Sequence, residues 1–569
     1  MPTLNWIGKE AVINHHHEVK FRLLKDVADH GCGDPGSGNL IVEGDNLEAL
    51  KALLPYYAGQ VKCIYIDPPY NTGNEDWVYN DNVKSPLITE WLGKVVGEEG
   101  ETLDRHDRWL CMIYPRLALL REFLAQDGVM FISIDDNELP YLRILLDELF
   151  PHAKAKNRLA CFIWQTDGNF DNQAKVKIAH EYILAYSRCF EDFPPPPVID
   201  LSIDKGSKLF RPEIRNTIVK NGPKNPISAI RLPVGFPADF DEGTIPARTD
   251  KWPNFTVPLV VRDGVLQHEA EVISGWSSKS ICEEFIANKF APVKDSKGQL
   301  TTFVLSRTGA IETVKVRSET QSHVVSVIRD VGTTQSTSEG LKDMGLKFTF
   351  PKPVRLIQYL ISMVADKDAI VLDSFAGSGT TGHAVLAANQ DGGNRRFILA
   401  QMPFESAEQR SSGTNIARDL TARRVKLVAE GYTNTKGESV PGLGGGFRYC
   451  QLGEPLFDEA GQIRSTVKFG ELARHVWFTE TGEPLPRERV MNTPLLGVHR
   501  GTAIYLLYNG ILGDKSAQGG NVLTRTILAE LPSFDGPKVV YAAGCLLGPE
   551  RLSAHQITVR QTPYEIRVS

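Results

Sequence analysis

The sequence predicts an α/β protein built on a doubly wound, Rossmann-like sheet, interrupted by an insert and followed by a smaller C-terminal α+β region. Three observations carry that expectation. First, Leu40-Ile41-Val42 passes through a glycine turn into a helical pattern with Leu47, Leu50 and Leu54 on one face, then into an apolar run from Val61 to Ile66. A strand–helix–strand unit pairs its strands in parallel. Second, the same texture returns far along the chain, where Ala369-Ile370-Val371-Leu372 enters a glycine-rich turn and another helix. Third, a four-proline run at Pro194–Pro197 opens a stretch of short runs rich in proline and glycine, with no repeated strand–helix pattern until about residue 345.

The 569 residues are 42% hydrophobic and 23% charged, an ordinary composition for a chain of several domains. No apolar run reaches the length of a membrane span and no charged-then-apolar leader opens the sequence, so a cytoplasmic protein without membrane association is expected. Eight cysteines stand apart with no Cys-x-x-Cys pair, which argues against a zinc ribbon or a disulfide framework. His15-His16-His17 has no fourth ligand at helical or hairpin spacing, and no metal site is expected. The net charge of −6 does not mark a nucleic-acid binder, and any such contact has to come from local basic surface.

The elements follow in order. Residues 1–37 are a lead-in that ends in the turn cluster Asp34–Gly38. The first half of the α/β domain is expected over 38–193. Within it, 107–126 has near-helical spacing of Trp109, Met112, Ile113, Leu117, Leu120 and Leu124, and Pro115 either kinks that helix or starts it. Gly128–Asp135 reads as a strand, 137–149 as a helix, and Cys161–Trp164 and His180–Tyr186 as strands. The insert spans 194–345, the second half of the α/β domain 346–435, and a flexible hinge at Gly442–Gly446 leads to a C-terminal domain over 447–569.

The strand Val61–Ile66 runs into Asp67-Pro68-Pro69-Tyr70. Proline cannot continue a central ladder, so the tetrapeptide leaves the sheet stiffly. A carboxylate, the Pro68 carbonyl and a flat ring suit a planar substrate with an exposed amino group. The plainer alternative is a Pro-Pro strand terminator with a surface tyrosine. Asp-Pro-Pro-Tyr resembles the catalytic motif of the amino-methyltransferases that act on DNA adenine with S-adenosylmethionine. That resemblance implies that Asp67 and the Pro68 carbonyl grip the amino group of a flipped-out base, with Pro69 in the same turn, and that Tyr70 stacks on the base.

The second anchor is Asp373-Ser374-Phe375-Ala376-Gly377-Ser378-Gly379-Thr380-Thr381-Gly382. A P-loop needs a lysine that is absent. A dinucleotide fold fits the spacing of Gly377, Gly379 and Gly382, but the next strand ends in Gln401 where an acid is wanted. Asp-x-Phe-x-Gly-x-Gly matches the S-adenosylmethionine loop of the same methyltransferases. The resemblance implies that Asp373, Phe375, Gly377, Gly379 and Thr380 hold the cofactor, with Gln401 or nearby Glu405 at its ribose. It further implies that Asp45 approaches the cofactor adenine, unless it is simply a helix N-cap, and that Lys352 neutralises the cofactor carboxylate, unless it is a surface lysine at a helix start.

The amino-group loop precedes the cofactor loop, an order similar to the permuted β group of these enzymes, and the longer strings look most like the modification subunits of type III restriction systems. In that family the insert is the target-recognition domain. Here it carries Lys205, Lys208, Arg211, Arg215, Lys220, Lys224 and Arg231 against Glu213, either a solvated face or a phosphate-tracking surface. The function implied is methyl transfer to adenine N6 in double-stranded DNA. Cytosine N4 methylation, a solitary methyltransferase and a non-catalytic specificity subunit are the alternatives. The partners implied are duplex DNA, a second copy of the chain and a separate ATP-dependent restriction subunit, with residues 447–569 serving assembly.

Overall fold

The computed structural model describes residues 3–72, 94, 105–152, 156–166, 175–196, 212–296, 298–316, 324–404, 407–486, 493–508, 511–512 and 520–562. The chain divides into two compact units, Met1–Pro194 with Val325–Ser569, and Pro195–Val324. The insert ends at residue 324, short of the expected 345, because Val327–Ile328 already pairs in the main sheet.

A ten-stranded sheet organises the first unit. Its strands are β1 (Arg22–Asp26), β2 (Leu40–Glu43), β3 (Val61–Ile66), β4 (Leu124–Ile134), β5 (Arg158–Gln165), β6 (His180–Ser187), β7 (Val327–Ile328), β8 (Ile370–Asp373), β9 (Arg396–Gln401) and β10 (Arg448–Pro455). They lie in the order β1-β10-β2-β9-β8-β3-β4-β6-β5-β7. From β10 to β4 every pairing is parallel, whereas β1 runs antiparallel to β10, and β6 to both its neighbours. Strand β8 comes far later in the chain than β3 yet sits beside it, with Leu372 opposite Ile64. The two turns singled out above therefore leave the same rim of the sheet.

Helices cover both faces. They include α1 (Asn46–Tyr57), α2 (Arg105–Phe123), α3 (Leu139–Leu149), α4 (Val354–Val364), α5 (Thr380–Ala388) and α6 (Arg423–Glu430). Ile64, Ile66, Leu372 and Ile398 share one core with Leu47 and Leu50 of α1 and Leu117 and Leu120 of α2. Leu399, the next residue along β9, points the other way: a methyl group on Gly382 of α5 would sit 3.1 Å from it and 2.9 Å from Val425 of α6. Successive strand residues alternate faces, so this is the doubly wound arrangement. Helix α2 runs through Pro115 rather than starting there.

The glycine run 442–446 is clamped, not hinged. Asn39 Nδ2 and Ser37 Oγ both donate to the Gly446 carbonyl at 2.8 Å, and Cys32 and Phe447 exchange backbone hydrogen bonds at 3.2 and 2.8 Å. A Cβ on Gly446 would meet Asp34 N and Cys32 O at 2.6 Å, so glycine is there for close approach. The lead-in also supplies β1, so Arg22–Asp26 belong to the main sheet. Beyond β10, helix Phe469–Thr481 precedes a four-stranded sheet of Leu495–His499, Thr502–Leu506, Lys538–Ala542 and Ile557–Gln561. This α+β region has its own small core, yet Leu472, Val476, Ile504, Leu506 and Tyr541 also join the core of the main sheet. Truncation at residue 447 would strip β10 from the sheet.

His475, on that helix, is buried against Phe21 with ring centroids 4.4 Å apart. Neither ring nitrogen has a hydrogen-bond partner among the described residues. Burial, assisted by the Lys51 charge, holds its pKa down at about 3 from an ordinary 6.5. The unfolded chain takes up a proton near 6.5 that the folded chain refuses, so this contribution to stability is full above that pH and falls as pH drops. The loss is about 1.4 kcal/mol per pH unit for one imidazole. His475→Phe is expected to flatten the acid side of a melting-temperature profile; an unchanged slope counts against this assignment.

The second unit, Pro195–Val324, is made of short antiparallel pairs around its own core of Phe236, Leu259, Val272, Phe285 and Phe303. Its four-stranded sheet joins Val293–Lys294, Leu300–Leu305, Ile311–Val316 and Glu213–Thr217. No helix among the described residues is long and apolar enough to cross a membrane.

Candidate active site

Strand β3 delivers Asp67 to the rim, and the two prolines turn the chain away. The turn is held from behind: Trp109 Nε1 of α2 donates to the Pro69 carbonyl at 2.6 Å. Asn71, in the left-handed region at φ 60°, donates to the Arg105 carbonyl at 3.0 Å and to buried Glu138. Glu138 in turn pairs with His106 Nδ1 at 2.7 Å.

At the tip lies a four-residue cluster. Lys352 Nζ donates to Asp67 Oδ1 at 2.9 Å and Oδ2 at 2.8 Å and stands 3.4 Å from Glu181 Oε2 on β6. The Tyr70 hydroxyl donates to the same Glu181 oxygen at 2.9 Å, and Lys352 Nζ lies 4.8 Å from the Tyr70 ring centroid. Lys352 is buried. It is therefore not a surface lysine at a helix start: its ammonium is turned inward onto the Asp67 carboxylate. Burial pushes the Asp67 carboxyl above its usual range, with Lys352 the strongest influence pulling it back. Burial also works against the Lys352 charge, but Asp67 and Glu181 outweigh it and hold its pKa above that of an ordinary lysine. Burial and the two carboxylates raise Tyr70 well above its usual value, so its hydroxyl stays a donor.

On the adjacent strand, Asp373 braces the glycine loop. Its Oδ1 accepts the Phe375 amide at 2.9 Å and its Oδ2 accepts the Thr381 hydroxyl at 2.5 Å. Burial lifts its pKa to about 7 against the pull of those two donors, with the Asp67 charge adding to the rise. Gly377 and Gly379 both take positive φ, 50° and 78°. The loop is tied down on all sides: Gly377 N donates to Gln401 Oε1 at 2.7 Å, and Thr421 Oγ1 donates to Gly377 O at 2.6 Å. Arg424 Nη1 reaches Ser378 Oγ at 2.8 Å and Thr380 Oγ1 at 2.7 Å. Tyr70 and Phe375 both pack on the same core.

Several residues expected to touch cofactor have work inside the protein. Gln401 takes up a loop amide. Asp45 caps α1, its Oδ1 accepting Leu47 N at 2.9 Å and Glu48 N at 3.2 Å, while its Oδ2 pairs with buried Arg116 at 3.1 Å. Glu405 lies outside the described residues, as do Lys205, Lys208 and Arg211. Arg215 faces Glu213 at 3.1 Å and Asp239 at 3.7 Å, and Arg231 has Glu271 at 3.8 Å, so the basic stretch is partly offset. Lys220 and Lys224 are exposed.

Sequence reasoning did not bring Glu181 or Arg424 to these two turns. Both carried a signal: an acid opening an otherwise apolar strand, and an arginine on the apolar face of α6 beside Val425 and Val428. Trp109 and Glu138 carried none.

A family model described as DNA methylase matches residues 61–410, a span that holds both the Asp67 and the Asp373 turns. The chain belongs to the DNA methylase family. Over 463 residues this methylase is 32% identical to the type III restriction-modification enzyme EcoPI Mod subunit of Escherichia phage P1, covering 76% of this chain and 69% of that one. It is 29% identical over 460 residues to the EcoP15I Mod subunit of Escherichia coli, covering 74% and 68%. With the type II methyltransferase M.KpnI of Klebsiella pneumoniae it shares 26% identity over 450 residues, covering 76% and 97%.

Proposed function

We propose that this methylase transfers the methyl group of S-adenosylmethionine to the N6 amino nitrogen of adenine in double-stranded DNA, as the modification subunit of a type III restriction-modification system. The observation that carries the reading is the pairing of β3 with β8, which sets the Asp67–Tyr70 turn next to the Asp373 loop. The target amino group is buried in the duplex, so the base has to be flipped out at a cost of a few kcal/mol. Its lone pair is delocalised into the ring. Hydrogen bonds to Asp67 and the Pro68 carbonyl favour a tetrahedral nitrogen and steady the positive charge it gains on attack, and Tyr70 offers a stacking face.

The loop suits the cofactor. Ser374 Oγ is buried with no hydrogen-bond partner among the described residues, and the two glycines expose backbone at a helix start. Asp373, Phe375, Gly377, Gly379 and Thr380 would hold it, and once bound it would supply an electrophilic methyl carried on a positively charged sulfur, which would leave as the neutral thioether. Protein residues then only position, polarise and exclude water.

Tritiated-methyl transfer to genomic DNA, followed by sequencing of modified bases, tests base, atom and site together. No incorporation despite cofactor binding would leave a non-catalytic specificity subunit; label on cytosine N4 would move the assignment to cytosine. The similarity to M.KpnI, a type II methyltransferase, favours a second reading, a methyltransferase that is not part of a type III complex, which co-purification with a restriction subunit separates from the first. A second copy of the chain is the other expected partner, read by mass in solution. Because residues 447–569 share the main core, a docking role for them is better tested by surface substitutions than by deletion. For DNA binding, Lys220→Ala and Lys224→Ala are each expected to lower the slope of affinity against salt by about one. Arg215→Ala, its charge already offset, is expected to change that slope less.

A further inference from the structure

Two charged residues of the cluster, Glu181 and Lys352, have no part in the transfer described above. We propose that they are positioning residues of the methyl-transfer site: Lys352 keeps Asp67 a charged acceptor, and Glu181 draws Lys352 partly aside while pinning the Tyr70 ring. The inference rests on the methyl-transfer reading of the same site.

The reasoning is electrostatic. A lone buried carboxylate takes up a proton, and a protonated Asp67 offers a donor where the substrate amino group needs an acceptor. Lys352, in contact with both oxygens, prevents that. An ammonium paired with Asp67 alone, however, would cancel the negative charge that steadies the cationic amino nitrogen. Glu181, 3.4 Å from the same ammonium, changes the balance: two carboxylates and one lysine leave one net negative charge at the turn. The Tyr70 hydroxyl on Glu181 ties the stacking ring to this charge cluster. The titratable groups facing Asp67 are Lys352, Glu181, Tyr70, Tyr65 of β3 and Asp373 of β8. Among them Lys352 is the cation.

The two residues push Asp67 in opposite directions, and that separates positioning from mere structural support. The experiment measures kcat for methyl transfer to DNA against pH for wild type, Lys352→Met, Lys352→Arg and Glu181→Gln. Without Lys352 the acid limb of the profile moves to higher pH, and arginine brings it back toward wild type. Without the Glu181 charge the limb moves to lower pH, and the plateau falls at least about tenfold, with DNA affinity unchanged. Limbs that move the same way, or do not move, or a loss of activity at every pH in both variants, overturn the proposal. If Lys352→Met does not fold, Glu181→Gln, which keeps the side chain's shape and an acceptor for Tyr70, decides alone. A wild-type protein that places no methyl on DNA fails the functional reading instead, before any variant is compared.

Discussion

Asp67→Ala is expected to abolish methyl transfer while leaving cofactor binding nearly intact. Asp67 is the one acidic side chain in the Asp-Pro-Pro-Tyr turn, and the carboxylate is what the reacting amino group needs in the transition state. Loss of one such electrostatic partner costs about a hundredfold to a thousandfold in comparable sites, and here the acceptor itself disappears. The cofactor loop is built from other residues: Asp373 accepts Phe375 N and Thr381 Oγ1, and neither bond involves Asp67. Lys352 keeps Glu181 at 3.4 Å, so the ammonium is not stranded. Asp67→Asn is expected to fail as well, because the amide carries no charge and keeps one acceptor oxygen, so an N–H donor is turned toward either Lys352 or the substrate amino group. Tritiated-methyl incorporation alongside equilibrium cofactor binding reads the result. Incorporation within about tenfold of wild type would remove Asp67 from the chemistry.

Gly379→Ala is expected to cost cofactor binding and stability together. Two terms add. The residue has φ 78°, where a side chain costs about 1 kcal/mol. The new methyl would also lie 2.9 Å from the Thr421 carbonyl oxygen and 3.3 Å from Val425, and overpacking of that kind costs about 1–3 kcal/mol. The backbone oxygen cannot swing away as a side chain can, so the loop moves and cofactor affinity falls with it. Gly392→Ala is the control: its φ is 79°, but nothing lies within 4 Å of the added carbon. That variant pays only the conformational term and keeps cofactor binding. Calorimetric titration with cofactor and thermal melts of both variants check the contrast. Equal effects would mean that strain alone, and not the packing of the loop on Thr421, shapes this site.

Chain order and local pattern were enough to place both turns. Asp67-Pro68-Pro69-Tyr70 stops a β-branched run with two residues that cannot extend it, and Asp373–Gly379 puts glycines where a strand has to become a helix. These are local constraints of backbone and side chain, and they survive in a one-dimensional reading. The inserted unit announced itself in the same way, through prolines and short alternating runs.

What the linear pattern left undecided was who stands next to whom. Lys352 reads as the first polar residue before a helix; only the pairing of β8 with β3 brings it to Asp67. Glu181 reads as the acid at the head of a strand; only the antiparallel placement of β6 beside β4 sets it against Tyr70. Gln401 and Asp45 are expected at the cofactor from the resemblance, with a helix cap as the alternative for Asp45; in the fold Gln401 accepts the Gly377 amide, and Asp45 caps α1 and pairs with Arg116. The glycine run 442–446 has the composition of a hinge and the packing of a clamp. Apart from the local cap that Asp45 makes, the deciding interactions join residues far apart in the chain, and their energy depends on distance and burial. The residues with chemistry to offer were thus legible from the amino-acid string, while the partners that set their charge and orientation were chosen by the folded sheet.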